Sequence, residues 1–207
     1  MEIKTLTSSL QSANSYLLID SATKKAALVD PGADGEYLVG QAQTLGVTIE
    51  AILLTHGHFD HILALDTVKS LTGARVYIHK LDNICLTNPM FSLMNHVGRD
   101  DTFDDADVLV DDGDIITVGN SKIEVMYTPG HTVGSVCYLT DAGIISGDTL
   151  FCESIGRTDF PGGDFDSIEL SIRRLYRLRG DKKVYPGHGC ATTLSHERKW
   201  NMFVKEK

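Results

Sequence analysis

The stretch Ala51-Ile52-Leu53-Leu54-Thr55-His56-Gly57-His58-Phe59-Asp60-His61 decides how this chain is read. Its first half carries no charge and has the composition of a strand buried on both faces. Four potential metal ligands, His56, His58, Asp60 and His61, follow at once. Residues two apart on a helix project about 200° apart, so His56 and His58 cannot share a helical face. They require a loop at the strand end, which Gly57 permits. Asp60 and His61 then fall in the first turn of a helix and point another way, so the two pairs can grip different ions.

The same arrangement recurs downstream. His131 follows Tyr127-Thr128-Pro129-Gly130, Asp148 follows Ile144-Ile145-Ser146-Gly147, and His188 follows Val184-Tyr185-Pro186-Gly187. Each lies just past a strand with glycine immediately before it, and ligand sites of open α/β sheets form at such strand ends. A catalytic zinc uses about three protein ligands plus water. Five histidines and two aspartates exceed that number and suit two divalent ions sharing one carboxylate, a pair able to activate water and polarise a carbonyl. His79, His96 and His196 lack this context and are read as structural or surface residues. Cys190, two residues beyond His188, is read as a packed thiol.

Around these positions short β-type runs alternate with helical spacing. Strands are expected at 15–20, 26–30, 51–55, 75–79, 115–118, 122–127, 135–139, 143–146 and 184–186. Helices are expected at 37–45 (stopped by Gly46), 61–71 (ending at Gly73), 167–178 (with Asp166 as N-cap and Gly180 as stop) and 195–204. The stretch 81–99 is irregular, a flap or a broken helix. With no repeat, low-complexity linker or break in composition, residues 1–207 are expected to form one α/β (α+β) domain.

The 207 residues are 42% hydrophobic and 23% charged, ordinary for a globular protein. A net charge of −9 repels phosphate backbones, so no nucleic acid partner is expected. The acidic run Asp100, Asp101, Asp104, Asp105, Asp107, Asp111, Asp112 and Asp114 matches no calcium loop and is expected to be a solvated turn. Cys85, Cys137, Cys152 and Cys190 contain no Cys-x-x-Cys pair and are expected to be reduced thiols. No apolar run reaches the ~20 residues needed to cross a bilayer, and Met1 to Leu10 lacks the pattern of a signal peptide. A cytoplasmic protein without a membrane partner is expected. Its oligomeric state is left open.

In order and spacing, Val29-Asp30-Pro31-Gly32, Thr55 to His61, Thr128-Pro129-Gly130-His131-Thr132 with Gly134-Ser135, Gly147-Asp148-Thr149-Leu150-Phe151 and Pro186-Gly187-His188-Gly189 resemble the metallo-β-lactamase superfamily. Within it they look most like a short, single-domain member of the glyoxalase II (hydroxyacylglutathione hydrolase) branch. The resemblance implies an αββα sandwich, two mixed sheets face to face with helices outside, and metals in a cleft at one edge. It implies that His56, His58 and His131 hold the first ion, that Asp60, His61 and His188 hold the second, and that Asp148 bridges them. It makes Asp60 and Asp148 catalytic, zinc the first metal expected with iron or manganese as alternatives, and a small thioester the substrate. Arg157 falls where the branch has a cation for the substrate carboxylate. An ion pair of Arg157 with Asp159 or Asp164 that merely shapes the loop is the alternative. The branch also usually has an aromatic residue at the position of Cys190. The string Gly156-Arg157-Thr158-Asp159-Phe160 is similar to persulfide dioxygenases too, which would use one iron on His56, His131 and Asp148. A metal-binding or redox scaffold without catalysis is the third reading.

Overall fold

Strands buried on both faces form the centre of the first sheet. The computed structural model describes residues 1–6 and 13–205. In it β1 (Glu2–Leu6), β2 (Ser15–Asp20), β3 (Lys25–Val29), β4 (Thr48–Leu53), β5 (Arg75–His79) and β6 (Val108–Val110) pair in that order. The first three are antiparallel and β3 to β6 are parallel. Leu17, Ile19, Ala26, Leu28 and Ile52 face one apolar layer, while Tyr16, Leu18, Ala27, Val29, Ala51 and Leu53 face the other. Ile49 would share a face with Ala51 in a regular strand, yet it packs in the layer of Ile52. The register slips between Ala26 and Ala27, leaving Glu50 as an extra residue, and such a bulge exchanges the two faces.

The parallel strands require crossovers, and helices supply them. Leaving β3, α1 (Gly35–Thr44) leads to β4, and α2 (Phe59–Ile62) with α3 (Leu65–Thr72) leads to β5. The helix expected at 61–71 is therefore two helices. The cause is local: the Ala64 N–H bonds the Pro31 carbonyl at 2.9 Å instead of continuing the ladder. The irregular 81–99 stretch holds α4 (Asn83–Thr87) and a 3₁₀ turn at Met94–Val97.

The second half runs β7 (Ile115–Val118), β8 (Ser121–Tyr127), β9 (Val136–Leu139), β10 (Ile144–Gly147), the hairpin β11 (Leu150–Phe151) and β12 (Ser154–Ile155), α5 (Phe165–Tyr176), β13 (Lys183–Pro186), β14 (Thr192–Thr193) and α6 (Leu194–Trp200). Its sheet has the order β14-β13-β10-β9-β8-β7, with β10 and β13 parallel and the other pairs antiparallel. Val118, Val125, Val136, Tyr138 and Ile145 meet Leu18, Val29 and Leu53 between the two sheets. On the outer face of this sheet, Ile144 and Val184 pack with Ile168, Ile172 and Leu175 of α5 and Leu194 of α6. Helix, sheet, sheet and helix thus lie in four layers, the αββα arrangement expected, and both sheets are mixed.

Several boundaries differ from expectation. β4 begins at Thr48, three residues earlier than the apolar run. The cap of α5 is Asp164, whose side chain accepts the Ser167 N–H at 2.7 Å, not Asp166. α6 stops at Trp200 rather than 204. β1, β6, β11, β12 and β14 have too few residues or too little alternation to stand out. β6 lies inside the acidic run, whose carboxylates serve as pairing partners: Asp107 takes the Val76 N–H and Lys69, Asp111 pairs with Lys80, and Asp112 pairs with Arg174. No helix among the described residues is long and apolar enough to cross a membrane.

Leu53 is fully buried between the sheets. Leu53→Ala is expected to lower stability by about 2–5 kcal/mol through lost burial and the cavity left behind. In urea denaturation the midpoint should fall without a change in slope.

Candidate metal centre

β4 ends at Leu53, and its exit loop delivers Thr55 to His58 to the sheet edge before α2 turns away. The loops after β8, β10 and β13 reach the same edge from the second sheet. All seven sequence-predicted ligands come together there. The donor atoms of His56, His58 and His131 lie within 4.8 Å of one another, as do those of His56, His61 and Asp148, and those of Asp60, His61 and His188. Asp148 stands between the groups, with Oδ1 3.3 Å from His61 Nε2 and Oδ2 3.5 Å from His131 Nε2 and 3.6 Å from His188 Nε2. Asp60 Oδ2 lies 3.0 Å from His188 Nε2.

Outer hydrogen bonds fix which nitrogen of three rings faces inward. Thr55 Oγ1 donates to Asp30 Oδ2 at 2.6 Å, so at 3.1 Å it accepts from His56 Nδ1. His61 Nδ1 lies 2.9 Å from Asp30 Oδ2, and His131 Nδ1 lies 2.7 Å from the Arg157 carbonyl. Each contact places the proton on Nδ1 and leaves Nε2 with its lone pair toward the cluster, the form that binds metals. His58 differs: its Nδ1 points inward, 2.9 Å from His131 Nε2.

For His56 and His58 the electrostatics favour the neutral form, whereas at His61 the surrounding carboxylates favour the proton that a cation would displace. Burial pushes His56 well below the ordinary imidazole range, and the neighbouring histidines add to the effect. His58 falls to about 3, through burial and then His131. Both rings are neutral near pH 7, as ligands must be. Burial alone would favour a protonated Asp148, but His61, His131 and His188 outweigh it and hold the carboxyl far below its usual range. Burial likewise opposes charge on His61, yet Asp148, Asp60 and Asp30 raise it well above normal.

The donor set fits divalent ions by a further test. His56 Nε2, His61 Nε2 and Asp148 Oδ1 are buried and make no hydrogen bond among the described residues. Unpaired polar atoms are costly in an interior, and divalent cations held by the cluster would satisfy them.

Two acids missing from the predicted site hold it in shape. Asp30, 1% exposed, accepts the Thr55 N–H at 2.8 Å besides Thr55 Oγ1 and His61. Its sequence signal was its place at the end of a buried strand before Pro31-Gly32. Asp82 is fully buried and accepts from Gly134 N–H at 2.7 Å, Thr132 Oγ1 at 2.7 Å and Gly57 N–H at 3.2 Å. It joins the loop of His56 to that of His131, although burial pushes its carboxyl up. No spacing marked it. Gly57 is needed for more than a turn, because a Cβ there would collide with the Cys85 side chain of α4.

A cleft of about 370 Å³ opens over the cluster, lined by His58, Asp60, His131, Asp148 and His188 on its floor and by Phe59, Leu93, Phe151, Ile155, Arg157 and Phe160 on its walls. His96 also lines it and meets Phe160 edge-to-face at 5.8 Å. It is thus a cleft residue, which the irregular sequence around it concealed. His79 is structural as expected, buried and stacked on Tyr127 at 4.5 Å. Arg157 pairs with Asp159 through two bonds of 2.7 and 2.6 Å and covers the Phe160 ring at 3.8 Å. The loop-shaping ion pair therefore exists, while the guanidinium still borders the cleft. Cys190 is exposed rather than packed, and none of the four cysteines forms a disulfide.

This fold, with histidines and aspartates gathered at the edge of two facing sheets, defines a class of metal-dependent hydrolases. The family model described as the metallo-beta-lactamase superfamily matches residues 9–188, and the chain belongs to that superfamily, whose members typically bind divalent metals. The chain is 37% identical over 196 residues to the probable metallo-hydrolase YqgX of Bacillus subtilis, covering 93% of this chain and 92% of that one. To the hydroxyacylglutathione hydrolase GloC of Haemophilus influenzae it is 32% identical over 195 residues, covering 92% of each. Among solved structures, the BLEG-1 B3 metallo-beta-lactamase superposes with a TM-score of 0.91 at 37% identity, covering 98% of this chain and 99% of that one. TTHA1623 in a di-iron-bound form gives 0.87 at 32% identity, covering 97% and 100%. ETHE1 from Myxococcus xanthus gives 0.84 at 30% identity, covering 100% and 86%.

Asp30→Asn should weaken metal binding about 10–100-fold, as loss of an outer hydrogen-bond partner does elsewhere. Chelator competition measures this, and far-ultraviolet circular dichroism should remain unchanged.

Proposed function

We propose that the chain is a dinuclear metal-dependent hydrolase of thioesters, of the S-acylglutathione type. The observation that carries this reading is Asp148, whose two oxygens address the two ligand groups from between them. In this reading His56, His58 and His131 would hold one ion, Asp60, His61 and His188 would hold the other, and Asp148 would be available to both. Zinc suits the donors, as do iron and manganese. Bound there, a divalent pair supplies a lowered pKa for water and polarisation of the thioester carbonyl.

The residues of the chain do the rest. Asp60, 23% exposed at its side chain, borders the cleft and takes up the proton of the attacking water. Phe59, Leu93, Phe151 and Ile155 provide an apolar wall that receives the acyl group and keeps bulk water away. Arg157, paired with Asp159 and stacked on Phe160 at the rim, would meet the carboxylates of a peptide-like thiol carrier. The name of the Haemophilus relative supports this substrate class.

A second reading, a persulfide dioxygenase with one iron on His56, His131 and Asp148, is favoured by the likeness to the Myxococcus ETHE1 structure. Such a set of two histidines and one carboxylate leaves positions open for oxygen.

Metal analysis of protein purified without chelators, beside hydrolysis of S-lactoylglutathione, separates the two. Two ions per chain and thioester hydrolysis are expected, with Asp148→Asn lowering kcat by at least about 100-fold. Arg157→Ala should raise KM about tenfold and spare kcat, the pattern of lost ground-state binding. One iron per chain with persulfide-dependent oxygen uptake and no thioesterase activity would establish the second reading instead. Hydrolysis of a chromogenic cephalosporin in place of any thioester would overturn the substrate class. Full activity and metal content in His56→Ala would overturn the ligand assignment.

A further inference from the structure

A second group of metal-type donors lies outside the centre described above. Cys152, His196 and Glu197 each present a donor atom, and these atoms lie within 4.8 Å of one another. Cys152 sits at the turn between β11 and β12, whereas His196 and Glu197 lie in the first turn of α6. The Cys190 thiol is a side-chain hydrogen-bonding neighbour of Cys152 and comes from the loop after β13. Glu153 Oε1 is 2.9 Å from His196 Nε2 and adds a second carboxylate at the edge. Three separate segments of chain thus converge with two thiols, one imidazole and two carboxylates.

The cluster is not explained by packing alone. Glu197 is fully buried, and its oxygens accept from Thr192 Oγ1 at 2.6 Å, Glu153 N–H at 2.9 Å and Asn201 Nδ2 at 2.9 Å. All three donors are neutral. Among the described residues Glu197 makes no ion pair, and a buried carboxylate ordinarily has a counter-charge or a metal. Those three bonds also hold Glu197 firmly in place, and hydrogen bonds of this kind orient ligating carboxylates. Mixed sulfur, nitrogen and oxygen donors select borderline ions such as zinc over magnesium or calcium.

We propose that Cys152, Cys190, His196 and Glu197 form a second, thiolate-containing site for one zinc-type divalent cation, separate from the histidine–aspartate centre. On binding, Sγ of each cysteine gives its proton to solvent and donates a lone pair to the ion, with no change of oxidation state. The ion joins the β11–β12 hairpin, whose Phe151 and Ile155 line the cleft, to α6 and to the loop that carries His188. It therefore fastens one cleft wall from behind.

The two sites differ in a way that spectroscopy reads directly, because none of the seven donors of the main centre is sulfur. Protein carrying its own metals and kept in a phosphine reductant is titrated with Co(II). The expected result is about one further equivalent bound, with a thiolate-to-cobalt charge-transfer band in the near ultraviolet. That band should vanish in the Cys152→Ser/Cys190→Ser variant, which keeps its main-centre metals, and weaken in His196→Ala. No band, with both thiols shown by a thiol reagent to be free, would overturn the proposal. So would a band that survives the double variant, since it would then arise from Cys85 or Cys137. A Cys152–Cys190 disulfide that persists in the reductant overturns it as well.

Discussion

Asp30 stands at the end of β3 with its carboxylate buried against β4, and its oxygens take three hydrogen bonds from the Thr55 N–H, the Thr55 hydroxyl and the His61 ring. Thr55 follows the end of β4, so one side chain fixes both the exit of that strand and the ring of His61. The His56 ring is fixed in turn through the Thr55 hydroxyl. Removing this acid would free two imidazoles to rotate and leave their inner nitrogens misdirected. The residue adopts a left-handed backbone, with φ 49°. An aspartate tolerates that conformation better than most side chains, and the turn it makes lets Pro31-Gly32 pass beneath α2.

Much of this was legible in the sequence because strand ends carry the chemistry. The apolar run 51–54, the glycine before each of His131, Asp148 and His188, and the turn residues between strands mark both the sheets and the places where ligands leave them. That logic picked out all seven residues whose donors the fold brings together, while the sandwich was implied by the resemblance to the metallo-β-lactamase superfamily. What the sequence concealed was of two kinds. Short edge elements such as β6 and β14 have no alternation to detect, since two or three residues do not make a period. Residues that act by position had no signal either: Asp82 is one acid in an irregular stretch, and His96 reaches the cleft only because the segment between α4 and β6 folds back over it. Helix 61–71 was misread for a related reason. Its apolar spacing is continuous across Leu63 and Ala64, but a distant carbonyl, that of Pro31, takes the N–H that continuity needs.

The site is also a seam. Four ligands come from the first sheet and its crossover, and three come from the loops of the second. Between the sheets the contact is almost wholly apolar, which specifies burial but not registry. The polar bonds that cross the gap near the centre supply the registry: Tyr138 Oη donates to the Leu54 carbonyl at 2.8 Å, and Tyr16 Oη to the Pro186 carbonyl at 2.6 Å. The Val136 N–H reaches the Thr55 carbonyl at 2.9 Å. These bonds hold the loops of the first sheet against those of the second where the donor residues converge.

The loop of His188 illustrates what such a seam means for the birth of the molecule. Its carbonyls are held by Asn14 and Tyr16, whose side chains bond Pro186 across separations of 172 and 170 residues. Ribosomes release the amino end first, so β2 waits through most of synthesis for the partner that completes it. By then His56, His58, Asp60 and His61 have long been synthesised. Contacts of such long range are slow to form, and His188 arrives with them. The order of translation therefore makes the gathering of the seven donors a late event in folding, when the two halves have already met.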